Sequence, residues 1–84
     1  MRTLLKTDHP HVSRNNRGRP VIGTSRVKLD IIAEYWNLGW KLEEIERNYP
    51  WLTRAEVLDA LSYYEDHREE IDRLIQQNRP PSDG

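Results

Sequence analysis

A short stretch near the middle of the chain constrains the fold most strongly. Thr53-Arg54-Ala55-Glu56 is a capping box, in which the threonine hydroxyl and the glutamate carboxylate each bind a free backbone N–H at the start of a helix. Leu52 and Val57 flank the box at the positions of a hydrophobic staple. No proline or glycine follows until Pro80. The pattern therefore predicts one helix of about 26 residues, or about 39 Å.

Two shorter helices are predicted ahead of this long one. Asp30 is a suitable N-cap residue, and residues 31–38 are apolar or aromatic except at two positions. A helix so widely apolar belongs at the centre of a core, and Gly39 can end it with a left-handed backbone. A second helix is expected over residues 42–48, ahead of a proline. Because both are short, they can cover only the first half of the third helix.

The third helix is therefore expected to have two parts. Residues 53–64 would complete the core of a three-helix domain over residues 29–78, and residues 65–78 would project into solvent as an acidic arm stabilised by ion pairs within the helix. One face of this region would be partly exposed in a monomer, which favours contact with a protein partner. The candidate contact residues are Tyr63, Tyr64, His67, Glu70, Ile71, Leu74 and Ile75. The alternative is that this face packs against the N-terminal strands of the same chain.

Residues 1–28 show no helical periodicity, because prolines and glycines divide them into short pieces. His11–Ser13 and Val21–Ile22 are candidate strands, joined by a loop of about seven residues. Strands this short are marginally stable alone, so we expect them to pair with each other or with a second copy of the chain. This segment is interpreted as a basic N-terminal arm. At the opposite end, residues 79–84 are predicted to form a disordered tail.

The net charge of −1 conceals a division of charge along the chain. Residues 1–28 hold seven Lys and Arg against one Asp, whereas residues 29–84 hold six against thirteen Asp and Glu. This division indicates two surfaces with different tasks, or two surfaces that meet each other.

The second and third helices match a helix-turn-helix arrangement, which raises the possibility of DNA binding. The third helix is acidic, however, and contacts with phosphates dominate affinity for DNA, so this helix is poorly suited to bind in a DNA groove. DNA contacts are therefore expected from basic residues that lie mostly on the arm, namely Arg14, Arg17, Arg19, Arg26, Lys28 and Arg54. The alternative is that these arginines pair with acids of the third helix, in the same chain or in another.

Composition argues against several other classes. The chain has no cysteine, so it can form neither a disulfide nor a thiolate metal site, and a reducing compartment is expected. His9-Pro10-His11 supplies only two potential ligands, so no metal or other cofactor is expected, and no histidine has an evident nucleophile beside it. No apolar run approaches the ~20 residues that span a membrane. The prediction is a non-catalytic cytoplasmic protein, small enough to gain stability from an oligomer or a partner.

A series of short motifs follows a fixed order between residues 9 and 72. They are His9-Pro10-His11-Val12, Gly18-Arg19-Pro20-Val21-Ile22, Gly23-Thr24, Arg26-Val27, Gly39-Trp40, Glu43-Glu44-Ile45, Tyr49-Pro50, Leu52-Thr53, Val57 with Ala60-Leu61, Tyr63-Tyr64 and His67-Arg68-Glu69-Glu70-Ile71-Asp72. In this order and spacing the chain resembles the bacterial and archaeal domain-of-unknown-function family numbered four hundred and thirty-three, whose members are often described as antitoxin-like.

The resemblance implies a three-helix, helix-turn-helix-like domain that is usually dimeric through its N-terminal strands. It also implies a neighbouring gene for a toxin of the PIN-like ribonuclease type. The expected fold is thus mainly α, a three-helix helix-turn-helix-like bundle with a long third helix and short N-terminal β-strands. The expected function is an antitoxin-like module that forms a homodimer, binds such a toxin and regulates its own operon through DNA. The alternative is a stand-alone small DNA-binding transcriptional regulator.

Overall fold

The computed structural model describes residues 5–78 of the chain. Three short strands precede four helices within that range. They are β1 (Leu5–Lys6), β2 (Val12–Arg14), β3 (Pro20–Ile22), α1 (Leu29–Asn37), α2 (Leu42–Asn48), α3 (Arg54–Asp66) and α4 (Arg68–Asn78). The predicted mainly helical fold with a short N-terminal sheet is confirmed. The predicted tail, residues 79–84, lies outside the described residues.

The three strands form one antiparallel sheet in the order β1-β2-β3. In the β2–β3 hairpin, Val12 lies opposite Ile22, so the prediction that the two candidate strands pair with each other is confirmed. The turn of the hairpin is closed by the Asn15 side chain, whose Oδ1 accepts backbone N–H bonds from Arg17 at 2.9 Å and Arg19 at 3.0 Å. Val12 and Ile22 are buried among the helices, so the hairpin contributes to the core.

Helix α1 begins at Leu29, two residues before the start expected from an Asp30 cap. Lys28 is the N-cap and has an extended backbone, and the first helical residue, Leu29, is fully buried. The Lys28 side chain makes no capping bond, because an ammonium group cannot accept one. The prediction that Asp30 caps α1 is therefore wrong. Asp30 lies inside the first turn, where it is buried and accepts a hydrogen bond from the Asn78 side chain at the end of α4. A residue that resembled a local cap thus holds two distant helices together.

The end of α1 follows the sequence pattern. Gly39 has φ +97°, a left-handed conformation that a residue with a side chain adopts only with strain. This turn brings Trp40 back over the helix, where its ring stacks on Tyr35 with a centroid distance of 4.2 Å. The predicted end of α1 at Gly39 is confirmed.

Helices α2 and α3 begin with caps of different strength. At α2, the Glu44 carboxylate accepts the Lys41 N–H at 2.7 Å, but a lysine ammonium has no lone pair to return a bond. At α3 both bonds of the capping box form: Thr53 Oγ1 accepts from the Glu56 N–H at 3.1 Å, and the Glu56 carboxylate accepts from the Thr53 N–H at 2.8 Å. The predicted helix start at Thr53 is confirmed.

The predicted single long helix is wrong. Helix α3 ends at Asp66, and His67 leaves the helical conformation with φ −132° and ψ 42°. The His67 N–H still bonds to the carbonyl oxygens of Tyr63 and Tyr64, and α4 begins at the next residue. Neither proline nor glycine causes this break, so local sequence offers no signal for it.

Burial of the α4 side chains explains the break. The turn at His67 redirects α4 onto α1, where Ile71 and Ile75 are buried. Burial of each isoleucine is worth about 1.5–3 kcal/mol, whereas each backbone hydrogen bond lost at the break costs about 0.5–1.5 kcal/mol net. Packing therefore outweighs helical continuity. The predicted acidic arm does not project into solvent, and its apolar residues complete the core.

One hydrophobic core joins the sheet to all four helices. Its buried members are Val12, Ile22, Leu29, Ile32, Ala33, Ile45, Leu52, Val57, Ala60, Leu61, Tyr63, Tyr64, Ile71 and Ile75. Among residues 5–78, no helix has the length and apolar character required to cross a membrane.

We predict that Ile71→Ala lowers the free energy of unfolding by about 2–5 kcal/mol, because it leaves a cavity between α4 and the core. Chemical denaturation followed by circular dichroism measures this change. Gln76→Ala, at an exposed position of the same helix, is the matched control and should change stability by less than about 0.5 kcal/mol. Equal effects of the two substitutions would show that α4 does not pack as described.

Candidate functional site

Arg14, a candidate DNA contact, is occupied within its own chain. Its guanidinium nitrogens lie 2.7 and 3.0 Å from the two carboxylate oxygens of Glu70, and 2.5 Å from the Tyr63 hydroxyl. The hydrogen bonds from Arg14 lower the pKa of Glu70 below its ordinary value. This bidentate pair joins β2 to α4. Arg14 therefore pairs with an acid of the same chain, which was the alternative to a DNA contact.

Arg54, the candidate at the start of α3, is paired as well. Its Nε and Nη2 atoms lie 2.7 and 2.9 Å from the carboxylate oxygens of Glu46 on α2. The hydrogen bonds from Arg54 lower the pKa of Glu46. Because the pair is exposed, it contributes little to stability, but it occupies the only basic group in the first turn of α3.

The remaining basic candidates lie on the β2–β3 turn and on the loop that leads to α1. Arg17, Arg26 and Lys28 are exposed, and Arg19 is half-buried. Their side chains form none of the ion pairs found within residues 7–78. Of the six predicted DNA-contact residues, these four keep charges that an external phosphate could neutralise.

The predicted partner-contact face is not exposed as expected. Tyr63, Tyr64, Ile71 and Ile75 are buried, while His67, Glu70 and Leu74 are half-buried. The face packs against the N-terminal hairpin and α1 of the same chain, as the alternative prediction had it. The physical reason is the break at His67, which folds this face inward.

The two tyrosines of this face are fixed by their hydroxyl groups and rings. The Tyr64 hydroxyl accepts a hydrogen bond from the Asn37 side chain at 2.8 Å and donates one to the Asp72 carboxylate at 2.7 Å. These bonds connect the end of α1 to α3 and α4. Tyr63 lies against the rings of His67 at 4.1 Å and His9 at 5.2 Å between centroids. Both side chains therefore act in packing.

Both ring nitrogens of His9 contact aspartates of α3. Its Nδ1 lies 2.9 Å from Asp59 and its Nε2 lies 2.9 Å from Asp66. Burial lowers the pKa of His9, but the hydrogen bonds to the two carboxylates raise it by more, and the net pKa is above its ordinary value. Burial raises the pKa of Asp59, but the backbone N–H of His11 and the His9 ring lower it by more. The His9 ring is buried beside α3.

Sequence reasoning missed the partners of His9, although a signal was present. Asp59 and Asp66 are seven residues apart, which places both carboxylates on one face of a helix. What the sequence could not supply was the position of His9 opposite that face, 50 and 57 residues away along the chain.

The exposed apolar surface was also missed. Within residues 7–78, four large apolar side chains are exposed to solvent outside the core: Trp36, Leu38, Trp51 and Leu58. Trp51 is 62% exposed and Leu58 is 48% exposed. Leu58 lies on the outer face of α3 with Arg54, Ala55 and Ser62, all of which are exposed at helical spacing.

Comparison with known proteins identifies the family of the chain. Residues 7–64 match the family model described as protein of unknown function, DUF433. No curated protein matches the chain. No solved structure matches it either. Since the match covers more than half of the sequence, the chain belongs to the DUF433 family, as the order of its motifs predicted.

We predict that His9 makes stability depend on pH. Because folding raises its pKa, the protonated ring stabilises the fold below the ordinary value of 6.5, and this contribution is lost as pH rises through the raised pKa. Because folding lowers the pKa of Asp59, its contribution is present above 3.8 and is lost as pH falls through the lowered value. The pair therefore stabilises the fold most between these two limits.

Denaturation measured from about pH 6 to about pH 9 in the presence of a chelator tests this dependence. His9→Gln should remove the loss of stability at rising pH, whereas His11→Gln, a histidine substitution two residues away, should retain it. Parallel pH profiles for the wild type and His9→Gln would contradict the prediction.

Proposed function

We propose that this DUF433 protein is a non-catalytic binding module that binds a protein partner through the outer face of α3 and the adjoining loop. The observation that carries the proposal is the exposure of Trp51 and Leu58 on a chain whose core is already complete. Large apolar and aromatic side chains in solvent are typical of protein interaction sites, where tryptophan contributes a disproportionate share of the binding energy.

Charge on this surface also favours a protein over a nucleic acid. The Arg54 guanidinium is held by two hydrogen bonds to Glu46, so the first turn of α3 offers no unpaired cation. The other residues of the outer face, Ala55, Leu58 and Ser62, carry no charge. This face therefore offers no free cation to a phosphate backbone, whereas its apolar side chains can pack against a protein surface.

The family resemblance supports a particular class of partner. We propose an antitoxin-like role, in which the chain binds a toxin of the PIN-like ribonuclease type encoded beside it and forms a homodimer through its N-terminal strands. Strand β1 lies at the edge of the sheet, and an edge strand can pair with a strand of a second copy.

The partner proposal predicts that Trp51→Ala combined with Leu58→Ala weakens the complex without unfolding the chain, because both side chains are exposed. Loss of a central aromatic anchor costs about 2 kcal/mol or more, or about 30-fold in affinity. The chain and the product of the neighbouring gene would be co-expressed, and the complex would be measured by size-exclusion chromatography with light scattering. Gln76→Ala with Gln77→Ala, exposed on α4, is the control pair.

Point substitutions are preferable to truncation in this experiment. Removal of α4 would take Ile71 and Ile75 out of the core, so loss of binding would report unfolding. Full affinity of the Trp51/Leu58 variant would exclude the outer face of α3 as the binding surface. Absence of any complex with the neighbouring gene product would contradict the antitoxin-like role.

A stand-alone DNA-binding regulator is the second candidate, and a separate observation favours it. Arg17, Arg26 and Lys28 are exposed on the hairpin turn and the loop before α1, and they form no ion pair within residues 7–78. Unpaired cations on loops can bind phosphates or enter a minor groove. In this function α2 and α3 would form the helix-turn-helix unit, with the basic loops as its anchor.

The DNA-binding candidate predicts affinity for the DNA upstream of the gene that falls steeply as salt concentration rises. Alanine at Arg17, Arg26 and Lys28 should reduce the slope of log K against log salt by about 0.9 for each phosphate that the variant no longer neutralises. Fluorescence anisotropy at several salt concentrations measures this slope. Alanine at Arg68 and Arg73, which are exposed on α4 outside the helix-turn-helix unit, removes positive charge elsewhere and should leave the slope unchanged. Equal slopes for the loop variant and the α4 variant would contradict a role for the loops.

A further inference from the structure

Side chains that are distant in sequence meet at the junction between α3 and α4. Asp8, His9 and His67 each bring one potential ligand atom to this junction, and these three atoms lie within 4.8 Å of one another. Asp66 contacts the same group through its bond to His9 Nε2. We propose that these residues form a binding site for a divalent transition-metal ion, specifically Zn²⁺.

The donor set suits zinc in its chemistry. Zinc binds imidazole nitrogen and carboxylate oxygen in four-coordinate sites, whereas Mg²⁺ and Ca²⁺ prefer oxygen ligands alone. Ligand atoms around a tetrahedral zinc ion lie about 3.3–3.6 Å apart, given metal–ligand distances of about 2.0–2.2 Å. Separations within 4.8 Å can contract to this spacing by side-chain rotation, because Asp8 is exposed and His67 is only half-buried.

One imidazole nitrogen is already oriented for a metal ion. Asp59 is 16% exposed in its side chain and is held by the His11 N–H at 2.7 Å as well as by His9 Nδ1. It is therefore a fixed acceptor, and a histidine oriented by a carboxylate on one nitrogen commonly binds metal through the other. The partner of His9 Nε2 is Asp66, whose side chain is 61% exposed and free to move.

Metal binding at His9 Nε2 displaces one proton from that nitrogen. The proton that His9 Nε2 shares with Asp66 is released, and the nitrogen lone pair takes its place as the ligand. Asp66 then rotates to become the fourth ligand or turns to solvent. Asp59 keeps its bond to Nδ1 in either case, which defines it as a positioning residue.

Charge at the junction also favours a divalent cation. Asp8, Asp59 and Asp66 surround the two histidines, whereas the nearby Glu70 is compensated by Arg14. None of the ion pairs within residues 7–78 joins these three aspartates to an arginine or a lysine, so their negative charge favours a bound cation. A divalent ion there would join the segment before β2 to the helical junction.

Isothermal titration calorimetry with ZnCl₂ on the full, chelator-treated chain tests the proposal. We expect one Zn²⁺ per chain, with no binding of MgCl₂ under the same conditions. His67→Gln and Asp8→Asn each remove a ligand, so each should weaken Zn²⁺ binding by at least the roughly 10- to 100-fold that loss of an outer-shell partner costs. His11→Gln is the matched control, since it removes a neighbouring histidine outside the group, and it should retain wild-type affinity.

Two further measurements distinguish a lost ligand from a lost fold. Asp8 is exposed, so Asp8→Asn should keep the wild-type melting temperature without metal. Co²⁺ should give the visible absorption of a four-coordinate site in the wild type and lose it in both variants. No Zn²⁺ binding by the wild type, or undiminished binding by both variants, would overturn the proposal. Equal loss in His11→Gln would also overturn it, because the loss would then not be specific to the residues of the proposed site.

Discussion

The turn at His67 is the constraint on which the rest of the structure depends. It interrupts a helix whose sequence favours continuity, and it brings Ile71 and Ile75 back onto α1. A straight helix would leave both isoleucines in water and would leave one side of α1 uncovered. The free energy of burying them exceeds the cost of a few backbone hydrogen bonds, so a small chain completes its core with its own C-terminal helix.

Side chains of the N-terminal segment pair with acids of the helices. The turn at His67 allows Glu70 of α4 to meet Arg14 of β2, and His9 lies between two aspartates of α3. The division of charge seen in the sequence is therefore partly an internal complementarity that fastens the hairpin to the helices. A charge that is paired within the chain is not available to a ligand. Arg14, which is paired with Glu70, is therefore not among the residues able to contact DNA.

What remains on the surface defines the functional possibilities. The outer face of α3 carries Leu58, with Trp51 on the loop that precedes the helix, and both remain exposed. Arg17, Arg26 and Lys28 are exposed on a different part of the chain, the hairpin turn and the loop before α1. An apolar helix face fits a protein partner, and unpaired cations on loops fit phosphate. The two surfaces lie on different elements, so the protein-binding and DNA-binding hypotheses can be tested by separate substitutions.

Local chemistry in the sequence determined several helix boundaries of this protein, and only the tertiary structure decided the break between α3 and α4 and how the elements pack. The capping box at Thr53 and the glycine after α1 follow from hydrogen bonds and backbone sterics within a few residues, so both were predictable. The family also followed from the order of short motifs. The break at His67, the burial of Ile71 and the pairing of His9 with Asp59 depend on groups that meet only when distant segments pack. Their energies come from burial and from long-range contacts, which no local pattern encodes.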